Sequence, residues 1–179
     1  MVRTLSEAIL RCRGLKQTSF TFLDFELIPR RFTYDDVSRI ALRVGANLLR
    51  LGVSKGERVA LVIPENEAFV FSFVGTIAAG IVPVPLYPPL PVGRIDKYLE
   101  YIGCILNSCR ASWIITSRGL SESLEGIASR APSLKALLYT DDICTEKNET
   151  VRIDEESVKI DIDPADTCLI QYTSGSPSD

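Results

Sequence analysis

Hydrophobic and polar positions change period several times along the chain, and each change marks an element. From Thr4 to Arg13, Leu5, Ile9, Leu10 and Cys12 recur at roughly helical spacing before Gly14, which predicts a short opening helix. Phe20, Phe22 and Phe25, with Thr18 and Thr21, have strand character, and Pro29 to Arg31 reads as the turn leading out of that strand. Thr33 is placed to cap a helix with Asp36 three residues on, in a capping-box-like pair. Val37, Ile40, Ala41, Val44, Leu48 and Leu51 then share one helical face, and Gly52 ends the helix.

The period is lost at Arg58 to Ile63, where a continuous apolar run closed by Pro64 suits a strand buried on both faces. Asn66 is placed to cap the next helix, Glu67 to Ala79, which is apolar nearly all round. Ile81 to Leu86 returns as an extended segment whose Pro83 and Pro85 keep it from being an ordinary central strand. Tyr87 to Pro91 continues as a stiff polyproline-like connection. A helix from Arg94 to Cys109 turns Ile95, Tyr98, Leu99, Ile102, Ile105, Leu106 and Cys109 inward. Trp113 to Thr116 reads as a strand, Leu120 to Ser129 as a helix, Leu134 to Tyr139 as a strand and Cys168 to Gln171 as the last strand. Alternating βα units with apolar strands predict an α/β fold, a mainly parallel sheet flanked by helices.

Composition narrows the function classes. With 46% hydrophobic residues in 179, the chain has enough apolar material for one sizeable core. The net charge of −3, without a basic block, argues against a nucleic-acid partner. Asp141 to Asp166 carries ten acidic and three basic residues, leaving a net +4 elsewhere, and reads as a solvated surface connection. The five cysteines lack the spacing of a zinc site or disulfide framework and suit a reducing, cytoplasmic setting. Cys104 and Cys109 read as buried thiols, not a redox pair, and Trp113 and the phenylalanines as core residues. Histidine is absent, which removes Ser-His-Asp, Cys-His and H-E-x-x-H chemistry from these residues. Ala68 to Gly93 contains no charge, but Gly80, Pro83 and Pro85 end its helix near Ala79. About 13 helical residues reach about 20 Å, short of a hydrocarbon core of about 30 Å, so no membrane span is expected.

Candidate chemistry gathers at the last residues. Thr173, Ser174, Gly175 and Ser176 follow an apolar run as a cluster of hydroxyls around a glycine. Such a turn can aim backbone N–H groups and hydroxyls at phosphate oxygens. A polar chain end of the same composition is the alternative.

The segment Tyr172-Thr173-Ser174-Gly175-Ser176, following the expected last strand, resembles the opening of the phosphate-binding motif of the adenylate-forming (AMP-binding) superfamily. Further features follow that family's order: Phe32-Thr33-Tyr34, Leu51-Gly52-Val53, Lys55-Gly56-Glu57-Arg58-Val59-Ala60 and Ile63-Pro64-Glu65-Asn66. The segment Ala78 to Pro89 is the sharpest, and its Leu86-Tyr87-Pro88-Pro89 ending resembles fatty acyl-AMP ligases more than ordinary acyl-CoA synthetases.

The resemblance implies residues 1–179 as the N-terminal part of an AMP-binding domain, an incomplete subdomain of the adenylate-forming fold, ending at the phosphate-binding loop. It implies a parent ligase that activates a fatty acid with ATP and Mg²⁺ to acyl-adenylate and pyrophosphate. The acyl group then passes to an acyl carrier protein or coenzyme A. Thr173, Ser174, Gly175 and Ser176 carry over to nucleotide-phosphate binding, and no catalytic or metal residue carries over. Where the family continues with Thr-Gly, a variable residue and Pro-Lys-Gly, this chain has Pro177, Ser178 and Asp179. The family's adenine pocket, metal-binding glutamate, ribose-binding aspartate and lid lysine lie downstream of that loop. The expectation is therefore that these residues alone do not catalyse adenylation. The alternative is a non-catalytic interaction or scaffold module derived from the same fold.

Overall fold

The computed structural model describes residues 1–23, 26–90, 94–144 and 161–173. Helix α1, Leu5–Arg11, is capped by Thr4, whose hydroxyl accepts the Glu7 N–H. Strands β1, Ser19–Leu23, and β2, Pro29–Thr33, form an antiparallel hairpin with Phe20 opposite Phe32. Pro29 to Arg31 is thus ladder and not turn. Pro29 stands at a strand end, where a missing N–H is tolerated. Phe25 lies outside the described residues.

Helix α2, Tyr34–Arg50, begins with the expected capping box: the Thr33 hydroxyl accepts the Asp36 N–H, and the Asp36 carboxylate accepts the Thr33 N–H at 2.8 Å. Leu51 falls just past this helix and is exposed. Strand β3, Arg58–Val62, leads to α3, Asn66–Ala78, where Glu65 takes the cap position without a side-chain bond and Asn66 is already helical. Strand β4, Val82–Pro85, is followed by α4, Ile95–Cys109, and β5, Trp113–Thr116. Leu99, Ile102, Ile105, Leu106 and Cys109 of α4 are buried as the spacing predicts, while Ile95 in its first turn stays 38% exposed. Cys104 is exposed, so only one member of that thiol pair is buried.

The helix expected over Leu120 to Ser129 is instead two three-residue 3₁₀ turns, Arg118–Leu120 and Glu122–Leu124, and a short α5, Ile127–Arg130. Gly126 breaks it with a φ of 81°, a left-handed conformation outside any α-helix. Strand β6, Ala136–Tyr139, runs directly into α6, Thr140–Cys144, so the acidic stretch starts as a helix. Arg118 pairs there with Asp142 at 2.6 Å and stacks over Tyr139.

The four-stranded sheet has the order β4-β3-β5-β6 and is parallel throughout. Alternate side chains of its strands go to opposite faces. Ala60, Val62, Val84 and Ile114 pack on one side with Ile102 and Leu106 of α4 and Ile127 of α5. Val59, Leu61, Trp113 and Ile115 pack on the other, beneath Val44 and Leu48 of α2 and beside Ala79 and Ile81. Both sheet faces are therefore covered, as continuous apolar strands require.

Candidate functional site

The outer edge of β4 is where the chain's last described residues lie, and its chemistry follows from two prolines. Val82 donates its N–H to the Glu57 carbonyl at 2.9 Å and Leu86 donates to Leu61 at 3.0 Å. Residues 82, 84 and 86 therefore address β3, while Pro83 and Pro85 address the open edge, where neither has an N–H to offer. The Pro83 carbonyl still accepts there, and it takes the Ile170 N–H at 3.0 Å. Ile170 packs its side chain against the core layer of α4. The strand expected over Cys168 to Gln171 thus forms no ladder among the described residues.

Upstream, Asp163 to Asp166 forms a tight turn. The Asp166 N–H donates to the Asp163 carbonyl at 2.9 Å, the Asp163 N–H to the Asp166 carboxylate at 2.8 Å, and the Ala165 N–H to the Asp163 carboxylate at 2.8 Å. Lys55 Nζ meets the same Asp166 carboxylate at 2.7 Å and donates to the Asp161 carbonyl at 2.5 Å. Lys55, then the Asp163 N–H, holds the Asp166 carboxyl below its ordinary range. This end of the acidic stretch is therefore docked by an ion pair and is not merely solvated.

Lys55 is itself presented by a fastened turn. The Glu57 N–H donates to the Ser54 carbonyl at 3.1 Å, and Gly56, the third residue of that turn, has a φ of 79°, which a type II turn requires there. The Gly56 N–H donates to the Gly80 carbonyl at 2.8 Å, and Lys135 Nζ meets Glu57 at 2.6 Å. Gly80 has a φ of 65°, and a Cβ there would lie 3.1 Å from Lys55 Cγ and 3.3 Å from Ile162. Past Ile170, Tyr172 Oη and Ser108 Oγ of α4 are 3.0 Å apart.

Of the four residues expected to bind phosphate, Thr173 is placed, exposed, at the end of this segment. Ser174, Gly175 and Ser176 lie outside the described residues. The contacts of Lys55 and Ser108 with this segment had no signal in the spacing, because each joins residues more than 60 positions apart. An opposite-sign match between a lone lysine and an acidic stretch is too common in sequences to pick out a pair.

Two other places were open to chemistry. A shallow cleft of about 450 Å³ beside β6 is lined largely by Leu124, Ile127, Leu134 and Leu137. Its cation, Lys135, is already engaged by Glu57 and stands over the Trp113 ring. Cys144 is raised to about 11, chiefly by burial, so its thiol is inert at neutral pH. Among the described residues, no three His, Cys, Asp or Glu side chains come together as metal ligands.

Residues 15–178 match the family model of AMP-binding enzymes. The chain belongs to the AMP-binding enzyme family. Its relatives include the long-chain-fatty-acid–AMP ligase FadD32 of Mycobacterium marinum, 29% identical over 175 residues, covering 93% of this chain and 25% of that protein. A putative acyl-CoA synthetase of Caulobacter vibrioides is also 29% identical, over 84% of this chain and 24% of its own length. Among solved structures, a fatty acyl-adenylate ligase from a study of E. coli and L. pneumophila enzymes aligns at a TM-score of 0.75 with 26% identity, over 97% of this chain and 30% of that one. The chain thus spans about a quarter to a third of the length of these AMP-binding relatives. No helix among the described residues is long and apolar enough to cross a membrane.

Proposed function

We propose that the 179 residues are the N-terminal part of an AMP-binding domain whose parent protein is a fatty acyl-AMP ligase. The observation that carries this is the similarity to long-chain-fatty-acid–AMP ligases over nine-tenths of the chain, against a quarter of theirs. In the parent, a fatty-acid carboxylate oxygen attacks the α-phosphorus of ATP, the bond to pyrophosphate breaks, and acyl-adenylate forms. A thiol of an acyl carrier protein or coenzyme A then attacks the acyl carbonyl and AMP leaves.

Thr173, Ser174, Gly175 and Ser176 would supply hydroxyl and backbone N–H donors to the β- and γ-phosphates as charge moves onto pyrophosphate. Mg²⁺ would neutralise part of that charge. Its ligands are assigned to the rest of the parent, because the family resemblance puts the metal-binding glutamate downstream of the loop.

The test is fatty-acid-dependent ATP–pyrophosphate exchange by the parent protein. Exchange that requires a long-chain acid supports the assignment, and none, with the downstream family motifs intact, refutes it. A second role, as a non-catalytic interaction module, is favoured by the sheet being covered on both faces by the chain's own helices. A transcript ending directly after Asp179, with a stable soluble product, would support that role.

A further inference from the structure

We propose that Lys55 is a positioning residue: through Asp166 and the Asp161 carbonyl, it sets the register of residues 167–173 along β4 and so the place of Thr173. What Thr173 does there rests on the function proposed above, but the register argument does not. A strand added to a sheet edge is normally held by a ladder of backbone bonds on alternating donors and acceptors. On this edge Pro83 and Pro85 remove the donors, and among the described residues the one backbone bond made there runs from the Ile170 N–H to the Pro83 carbonyl.

Among the described residues, that edge bond and the half-buried side chains of Leu169 and Ile170 hold the segment down without fixing how far along it lies. Fixing must come from its ends. At one end, Lys55 Nζ grips Asp166 at 2.7 Å and the Asp161 carbonyl at 2.5 Å, while Ile162 rests against Gly80. At the other, Tyr172 reaches Ser108. The lysine can serve as a fixed point because its turn is bonded to Gly80 and, through Glu57, to Lys135. A slip of one residue would move Thr173 by about 3.3 Å and reverse its facing. Groups that bind a reacting ligand must be held within about 0.5 Å.

The test is amide hydrogen exchange on the whole 179-residue chain, in wild type, Lys55→Met, Lys55→Arg and Asp166→Asn, alongside titration with MgATP. Asp166→Asn keeps the lysine stem packed on Gly80 and so covers the case in which Lys55→Met fails to fold. The Ile170 amide should exchange about fivefold faster in Lys55→Met and Asp166→Asn, recover in Lys55→Arg, and leave the β3 amides unchanged. In wild type, about 1 M salt should speed the same amide, and in Asp166→Asn it should not. Unchanged exchange at Ile170, or equal loss of protection in β3, overturns the proposal. If wild type binds MgATP and Lys55→Met and Asp166→Asn bind it equally well, Thr173 is not positioned by Lys55. If wild type does not bind MgATP, the phosphate-binding role of this chain fails, while the exchange comparison still decides the anchor.

Discussion

Gly75 of α3 sits where α2 crosses it, and a Cβ there would lie 2.5 Å from Cβ and Cγ1 of Val44. Val44 is branched at Cβ and buried on a helix, so it cannot rotate away. Alanine would gain about 1 kcal/mol of helix propensity, but overpacking costs about 1–3 kcal/mol and wins at this separation. Gly75→Ala should therefore lower the urea midpoint, whereas Gly119→Ala, which meets nothing within 4 Å, should not. Asp35 offers a pH test. It is 4% exposed, accepts the Gly14 N–H at 2.8 Å and pairs with Arg39 at 2.9 Å, and these partners hold its carboxyl below the ordinary value. A depressed carboxyl stabilises the fold above its unfolded pKa and loses that contribution as pH falls through the folded value. The stability difference between wild type and Asp35→Asn should thus be constant at neutral pH and shrink below about pH 3.8. A difference that persists at lower pH would show that the charge is not its source.

Elements are held by features of unequal strength. The capping box at Thr33 satisfies backbone donors at the start of the 17-residue α2, so Thr33→Ala should cost about 1 kcal/mol in chemical denaturation. In β4, position matters more than residue type. Pro83 addresses the open edge, so Pro83→Val removes no bond and should be tolerated. Val84 addresses β3, and Val84→Pro would remove a ladder hydrogen bond at a fully buried site and lower the melting temperature. Equal effects of the two changes on the melting temperature would contradict the edge assignment.

At the scale of the molecule, the sheet is covered on both faces, but among the described residues its two outer strands have no ladder partner on their outer edges. Lys135 donates its N–H to the Ser112 carbonyl, so Leu137 and Tyr139 also address β5, while Ala136 and Leu138 address an edge without a ladder partner among the described residues. Leu27 is 72% exposed near the hairpin and Tyr87 is 92% exposed after β4. Open edges and exposed apolar side chains favour association. The isolated chain should therefore form oligomers in sedimentation velocity as concentration rises, and a monodisperse monomer with a cooperative melt would count against its being part of a larger domain. Residue pattern alone was enough for α2, through a long one-faced apolar period, and for β3 and β5, through short continuous apolar runs, because burial of one face leaves a helical period and burial of both faces leaves none. It also carried the family, through motifs spread from Phe32 to Ser176. It did not reveal that Pro29 starts a strand or that Gly126 breaks a helix, since partner strands and φ angles leave little local trace. That Lys55 grips Asp166 and that Pro83 and Pro85 face the outer edge came from the assembled fold, because both depend on which segment lies alongside, and pairing across the fold is not written in local spacing.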